Sequence, residues 1–144
     1  MKFNTNIHRI RLFFIVLLLL IILDSFIIGT ATKDIYKNEL EGIVNIVDGE
    51  IVPVWWGIAI VYIFLSLAIT YFVILRDDKQ TELGVFLRGA FIGLIIYGVY
   101  DFANYSVIKG WPIYILIVDI LWGTVLCGAA AISAYMIEKM ISKI

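Results

Sequence analysis

The stretch PIYILIVDILWGTVLCGAAAISAYMI, residues 112–137, decides what kind of protein this chain is. A helix needs about 20 apolar residues to cross a hydrocarbon core of about 30 Å, and this stretch is longer than that. Its apolar residues occupy every face of a helix, and Asp119 is its one charged residue. The stretch therefore predicts a membrane-spanning helix.

Three more segments of the chain meet the same requirement, at residues 12–31, 53–75 and 85–105. None of them alternates apolar and polar residues as the strands of a membrane barrel do. Open strands are excluded because lipid satisfies no backbone hydrogen bonds. The sequence predicts an all-α fold in one domain, residues 1–144: a four-helix transmembrane bundle with up-and-down topology.

The composition points to the lipid bilayer as the environment of the chain. Hydrophobic residues make up 62% of it and charged residues 16%, against about 45–50% and about 25% in soluble domains. The net charge of -1 argues against a basic nucleic-acid-binding surface. A single cysteine excludes an intrachain disulfide, and no metal or cofactor motif is recognisable.

The basic residues predict the orientation, because cytoplasmic loops are enriched in lysine and arginine. One side of the predicted bundle holds eight of them: Lys2, Arg9, Arg11, Arg76, Lys79, Arg88, Lys139 and Lys143. The other side holds three: Lys33, Lys37 and Lys109. We expect a multi-pass membrane protein with both termini in the cytoplasm. A cleaved signal peptide is the alternative for the first segment, since Gly29 and Ala31 resemble a cleavage site.

Three carboxylates lie inside predicted spans, where each costs about 2.5–3.5 kcal/mol. At a rise of about 1.5 Å per residue, Asp24, Asp101 and Asp119 all fall in the outer half of the membrane, about 6–10 Å below its boundary. We expect them to point into the bundle. At least one should be protonated near neutral pH, because like charges in a low dielectric cannot all stay ionised.

Several polar residues accompany these acids. At helical spacings of three and four, Tyr97 and Asn104 share a face with Asp101, and Trp122 shares one with Asp119. Lys109, in the next loop, is the nearest basic residue. The candidate ligand site is therefore Asp24, Tyr97, Asp101, Asn104, Lys109, Asp119 and Trp122. Tyr62 is interpreted as an ordinary span residue, and the lone His8 as a solvated residue at the membrane interface.

Two functions from different classes fit this pattern. One is a transporter-like protein that takes a proton, a cation or a small polar ligand at the acids. The other is a structural or assembly subunit, in which the acids only hold the helices in register. No catalytic motif is recognisable, so an enzyme is not expected, and a lipid-modifying enzyme with paired carboxylates is the least favoured alternative.

Small residues predict where helices approach closely in lipid. Gly89 and Gly93 lie four apart in the third span, and Gly123, Cys127 and Ala131 repeat at the same spacing in the fourth. Such faces also bind other membrane chains, so a homo-oligomer or a membrane-protein partner is expected to use them.

A set of motifs in fixed order carries a family resemblance. The motifs are Arg88-Gly89-Ala90-Phe91-x-Gly93, Tyr97-x-x-Tyr100-Asp101-x-x-Asn104, Lys109-Gly110-Trp111-Pro112 and Asp119-x-x-Trp122-Gly123-Thr124. Together they resemble the family of predicted membrane proteins called domain of unknown function 2177. Ile27 stands where that family usually has tryptophan, and Ala103 where it has threonine. The resemblance implies a four-span protein and implies no known activity.

Overall fold

The computed structural model describes residues 6–27, 33–48, 50–76 and 80–142. Within these ranges, four helices are long and apolar enough to cross a membrane. They are α1 (Asn6–Ile27), α3 (Trp55–Ala68) with its π-helical continuation Ile69–Ile74, α4 (Glu82–Val107) and α5 (Ile113–Ile141). The predicted all-α class with four spanning helices is confirmed.

The helix ends differ from the predicted spans by up to six residues. The first helix begins at Asn6, before the apolar run, and residues 28–31 of the predicted span lie outside the described residues. The last two helices also run past 85–105 and 112–137. Helix geometry continues where the apolar run stops, because charged side chains at a helix end can reach the interface. The extra turn of α5 contains Glu138.

The longest connection is polar and has secondary structure of its own. The short helix α2 (Lys33–Glu39) precedes a two-stranded antiparallel hairpin of β1 (Ile46–Val47) and β2 (Glu50–Ile51). Asp48 has a φ of 51°, the left-handed conformation that a tight turn requires.

The closest packing in the bundle is between α4 and α5, along their small residues. A Cβ added to Gly89 would lie 2.7 Å from the Ala131 Cβ, and one added to Gly93 would overlap the Gly123 carbonyl. Only glycine permits this backbone approach. The predicted small-residue faces meet each other inside the chain, while their use by a second chain stays a prediction.

Contacts between helix ends support an antiparallel order. Glu138, near the end of α5, contacts His8 and Arg11 near the start of α1. Lys139 Nζ lies 3.1 Å from Glu82 Oε1, at the start of α4. Antiparallel neighbours make contacts of this kind. The up-and-down topology itself stays a prediction.

Candidate intramembrane polar site

Asp24 is the centre of a hydrogen-bonded group that joins three helices. Its Oδ2 accepts a hydrogen bond of 2.7 Å from the Tyr62 hydroxyl on α3. Its Oδ1 accepts one of 2.8 Å from the Trp122 indole Nε1 on α5. The side chain is 8% exposed. Each carboxylate oxygen thus has a donor, which compensates for part of the cost of burying the charge.

The position of Asp24 follows from the buried stripe of α1. Leu12, Val16 and Leu20 precede it at intervals of four, and all three are fully buried. Residues four apart lie on one face of a helix, so this stripe turns the carboxylate toward α3 and α5. Apolar packing therefore places the acid in the bundle.

The other two carboxylates are buried with fewer partners. Asp101 is fully buried, and neither of its oxygens accepts a hydrogen bond. The Trp111 indole is close to this carboxylate without the geometry of a hydrogen bond. Asp119 is 9% exposed, its Oδ1 has no donor, and it lies within electrostatic reach of Asp24. All three acids are buried, as their predicted inward orientation requires.

Tyr97 lies near two of the three acids and lines an open groove. Its hydroxyl is within electrostatic reach of Asp24 and Asp101. Its ring occupies the space beside Gly123, where any Cβ would overlap the ring atoms. A groove of about 310 Å³ opens beside it between α3 and α4, lined by Val61, Leu65, Ile96, Tyr97 and Tyr100.

Two of the predicted site residues lie apart from this group. The Asn104 amide interacts with the Tyr100 hydroxyl one turn earlier on α4. Lys109 is exposed, and in the part of the chain that the structure describes it forms no ion pair with the acids. Its side chain borders an open depression at the α4–α5 loop that Trp111 also lines. The structure therefore brings together Asp24, Tyr97, Trp122 and Asp119, with Asp101 adjacent.

Tyr62 was missed by the reasoning from sequence. It was interpreted as an ordinary span residue, and that interpretation is wrong, since its hydroxyl donates to Asp24. The two residues are 38 positions apart, so helical spacing carries no signal of the contact. A buried tyrosine hydroxyl does need a partner, which is the one clue available.

A second polar cluster, also missed, lies at the opposite end of the bundle. Glu138 is fully buried and accepts a 2.9 Å hydrogen bond from Arg11 Nε, a second one from Arg11 Nη2, and one of 3.1 Å from the Ser142 hydroxyl. His8 Nδ1 lies 3.0 Å from its Oε1 and 2.9 Å from Arg11 Nη2. The interpretation of His8 as a solvated residue is wrong. We call Glu138, Arg11, His8 and Ser142 the Glu138 cluster.

In the described ranges, no three acidic, histidine or cysteine side chains are grouped as a metal site requires. Four apolar helices and a buried polar layer define a polytopic helical membrane protein. The chain belongs to the family described as predicted membrane protein, DUF2177, whose pattern matches residues 9–136. The predicted family membership is thereby confirmed. Searches of curated proteins and of solved structures found no match.

Proposed function

We propose that this is a transporter-like membrane protein in which Asp101 and Asp119 exchange a proton or bind a small cationic or polar ligand. The single observation that carries the proposal is that Asp101 is fully buried while neither carboxylate oxygen has a hydrogen-bond donor. An ionised carboxylate without a partner is among the most costly groups to bury in a low dielectric. It is therefore expected to hold a proton or to receive a cation.

The three acids divide into two roles under this proposal. Asp24 has a donor on each oxygen, from Tyr62 and Trp122, so its carboxylate is held in place between three helices. Neither oxygen of Asp101 has a donor, nor has the Oδ1 of Asp119, so these atoms are available to hold a proton or to contact a ligand. A fixed acid beside acids with unused oxygens is an arrangement suited to a proton relay.

A route for the ligand is supported by the groove between α3 and α4. It is bordered by Tyr97 and Tyr100, which precede the buried Asp101 on α4. Tyrosine hydroxyls both donate and accept, so they can pass a proton between a ligand and a carboxylate. Opening between two helices, the groove would admit a small amphipathic molecule from the bilayer.

The structural alternative rests on Asp24. Its two hydrogen bonds tie α1 to α3 and α5, as expected of an acid that only fixes helix positions. A protein in which all three acids served in this way would need no ligand. The variants described next separate the alternatives, because an acid that only fixes helix positions can lose its charge without any change in proton flux.

The test is proton flux in liposomes containing the purified chain and an internal pH-sensitive dye. Under an imposed pH gradient, flux should rise above that of empty liposomes and should fall to background in Asp101→Asn and Asp119→Asn. Glu82→Gln, which changes an exposed carboxylate at the other end of the bundle, is the control and should keep the parental rate. Parental flux in both asparagine variants, or none above empty liposomes for the parent, would reject the proton relay.

We also propose that both termini lie in the cytoplasm. The support is the distribution of basic residues, eight on one side against three. Single cysteines at positions 41 and 78, in a Cys127→Ser background, report the side of each loop through a membrane-impermeant thiol reagent. In intact cells, position 41 should be labelled and position 78 should not. The reverse pattern would invert the orientation.

A further inference from the structure

Arg88 is an arginine near the start of the spanning helix α4. It lies six residues into α4, and its Nη2 donates a hydrogen bond to the neutral side chain of Gln80. Its Nε is buried without a hydrogen-bond partner. Among the described residues, no carboxylate forms an ion pair with Arg88. Arg88 as a whole is half-buried, but its buried Nε–H has no acceptor, and an unused buried donor is costly, so an acceptor from outside the chain would relieve that cost.

A groove on the membrane-facing surface lies against this guanidinium. It has a volume of about 380 Å³ and separates the π-helical segment Ile69–Ile74 from α4. Arg76 and Arg88 supply its two positive charges. Its remaining walls are apolar or aromatic: Tyr71, Phe72, Phe91, Ile92 and Ile95. A groove with two arginines at one end and apolar residues along its walls is complementary to a phospholipid, which has a phosphate at one end and acyl chains at the other.

The π-helical segment accounts for the shape of this groove. The Leu75 N–H donates to the Thr70 carbonyl over 3.0 Å, five residues back rather than four. This widened turn leaves Tyr71 and Phe72 exposed on the surface, beside α4. Single π-helical turns inside α-helices are frequent at functional sites. Arg76 lies two residues after the segment and is exposed.

We propose that this groove binds one anionic phospholipid, whose phosphate takes hydrogen bonds from Arg76 and Arg88. Guanidinium groups form paired, charge-assisted bonds with phosphate oxygens, and the Nε of Arg88 supplies one of these donors. Both arginines belong to the predicted cytoplasmic side, where anionic lipids attract basic residues. The two positive charges among the described lining residues favour an anionic over a zwitterionic headgroup. The acyl chains lie over Phe72 and Phe91.

The test is native mass spectrometry of the full chain in detergent, titrated with dioleoyl phosphatidylglycerol, dioleoyl phosphatidylcholine or sodium phosphate. One phosphatidylglycerol should bind at least about ten-fold more tightly than phosphatidylcholine, and phosphate alone should not bind. Arg76→Gln and Arg88→Gln should each weaken phosphatidylglycerol binding by about ten-fold, the loss expected for one charge-assisted hydrogen bond. Lys109→Gln removes an exposed cation from a different loop and should change nothing.

Several results would overturn the proposal. Equal binding of the two lipids would show that charge does not select the ligand. Phosphate binding that depends on the two arginines would indicate a free-anion site and no lipid site. If Arg88→Gln does not fold, Arg76→Gln and Arg88→Lys decide the matter, because lysine keeps the charge without the paired geometry. Unchanged phosphatidylglycerol binding in both of these would reject the site.

Discussion

Buried carboxylates lie at both ends of the bundle, but they differ in their hydrogen-bond partners. At one end, Glu138 is hydrogen-bonded to an arginine, a histidine and a serine. At the other end, only Asp24 has a donor on each oxygen, and the oxygens of Asp101 have none. Both clusters are buried, and only the first contains a basic residue.

This difference separates a structural role from a functional one. A buried acid with a full set of donors is held in one geometry, and changing it costs stability. A buried acid without donors destabilises the fold in its ionised form, so taking a proton or a ligand is favourable for it. The Glu138 cluster therefore fastens α1 to α5, while Asp101 and Asp119 are the residues to which we assign the proposed exchange.

The largest effect on stability is expected at Glu138. Glu138→Ala should lower the free energy of unfolding by about 3 kcal/mol, because Arg11 keeps its charge and loses its partner. Arg11 is 32% exposed and can turn partly to solvent, which holds the loss near the low end for a broken buried pair. Reversible unfolding in mixed detergent micelles measures it. Glu82→Ala, which breaks the exposed pair with Lys139, is the control and should lower the free energy of unfolding by only about 0–1 kcal/mol. Equal losses in the two variants would show that the buried pair is no more stabilising than the exposed one.

A smaller loss is expected at Gly123, beside the acid layer. Gly123→Ala forces the Tyr97 ring out of its place, since the added methyl group would overlap it. Overpacking of this kind costs about 1–3 kcal/mol. Gly98→Ala is the matched control on α4, because nothing lies within 4 Å of its added Cβ. It should raise the free energy of unfolding by about 0.5–1 kcal/mol, since alanine is favoured over glycine inside a helix. Unfolding of both variants under the same conditions checks this, and a destabilised Gly98→Ala would refute the packing explanation.

Tyr62→Phe should lower the free energy of unfolding by about 1.5 kcal/mol, the contribution expected of one hydrogen bond to a charged group. It removes the donor to Asp24 Oδ2 and leaves only the Trp122 bond. Tyr71→Phe, at a half-exposed tyrosine, is the control and should stay within about 0.5 kcal/mol of the parent. Midpoints of chemical unfolding compare the two. Similar losses in both variants would mean that the hydroxyl bond to Asp24 contributes nothing.

The smallest effect on stability is expected at Asp101. Asp101→Asn should unfold within about 0.5 kcal/mol of the parent or be more stable, because the carboxylate has no hydrogen bonds to lose. This expectation contrasts directly with Glu138, which is equally buried. The same unfolding measurement at neutral pH tests it. A loss above about 2 kcal/mol would place Asp101 with the structural acids and count against the proposed exchange role.

Much of the candidate site could be predicted from the sequence, because intramembrane acids are conspicuous. Asp24, Asp101 and Asp119 stand out in apolar runs, and helical spacing identified Tyr97 and Trp122 as neighbours. The same reasoning grouped Asn104 and Lys109 with them, whereas Asn104 interacts with Tyr100 and Lys109 is exposed in its loop. Spacing along one helix shows which of its residues share a face. It does not show which residues of the other helices pack against that face.

The sequence by itself determined four apolar spans, an all-α class and an intramembrane layer of acids, because lipid permits few backbone structures and makes every charge expensive. Tertiary structure decided which acids are satisfied. The contact of Tyr62 with Asp24 and that of Arg11 with Glu138 join residues from separate helices, 38 and 127 positions apart. Such contacts depend on how whole helices are rotated and packed against each other, and no local sequence pattern predicts that. Glu138 lay beyond the last predicted span, and only the packing of α1 against α5 made it a buried residue.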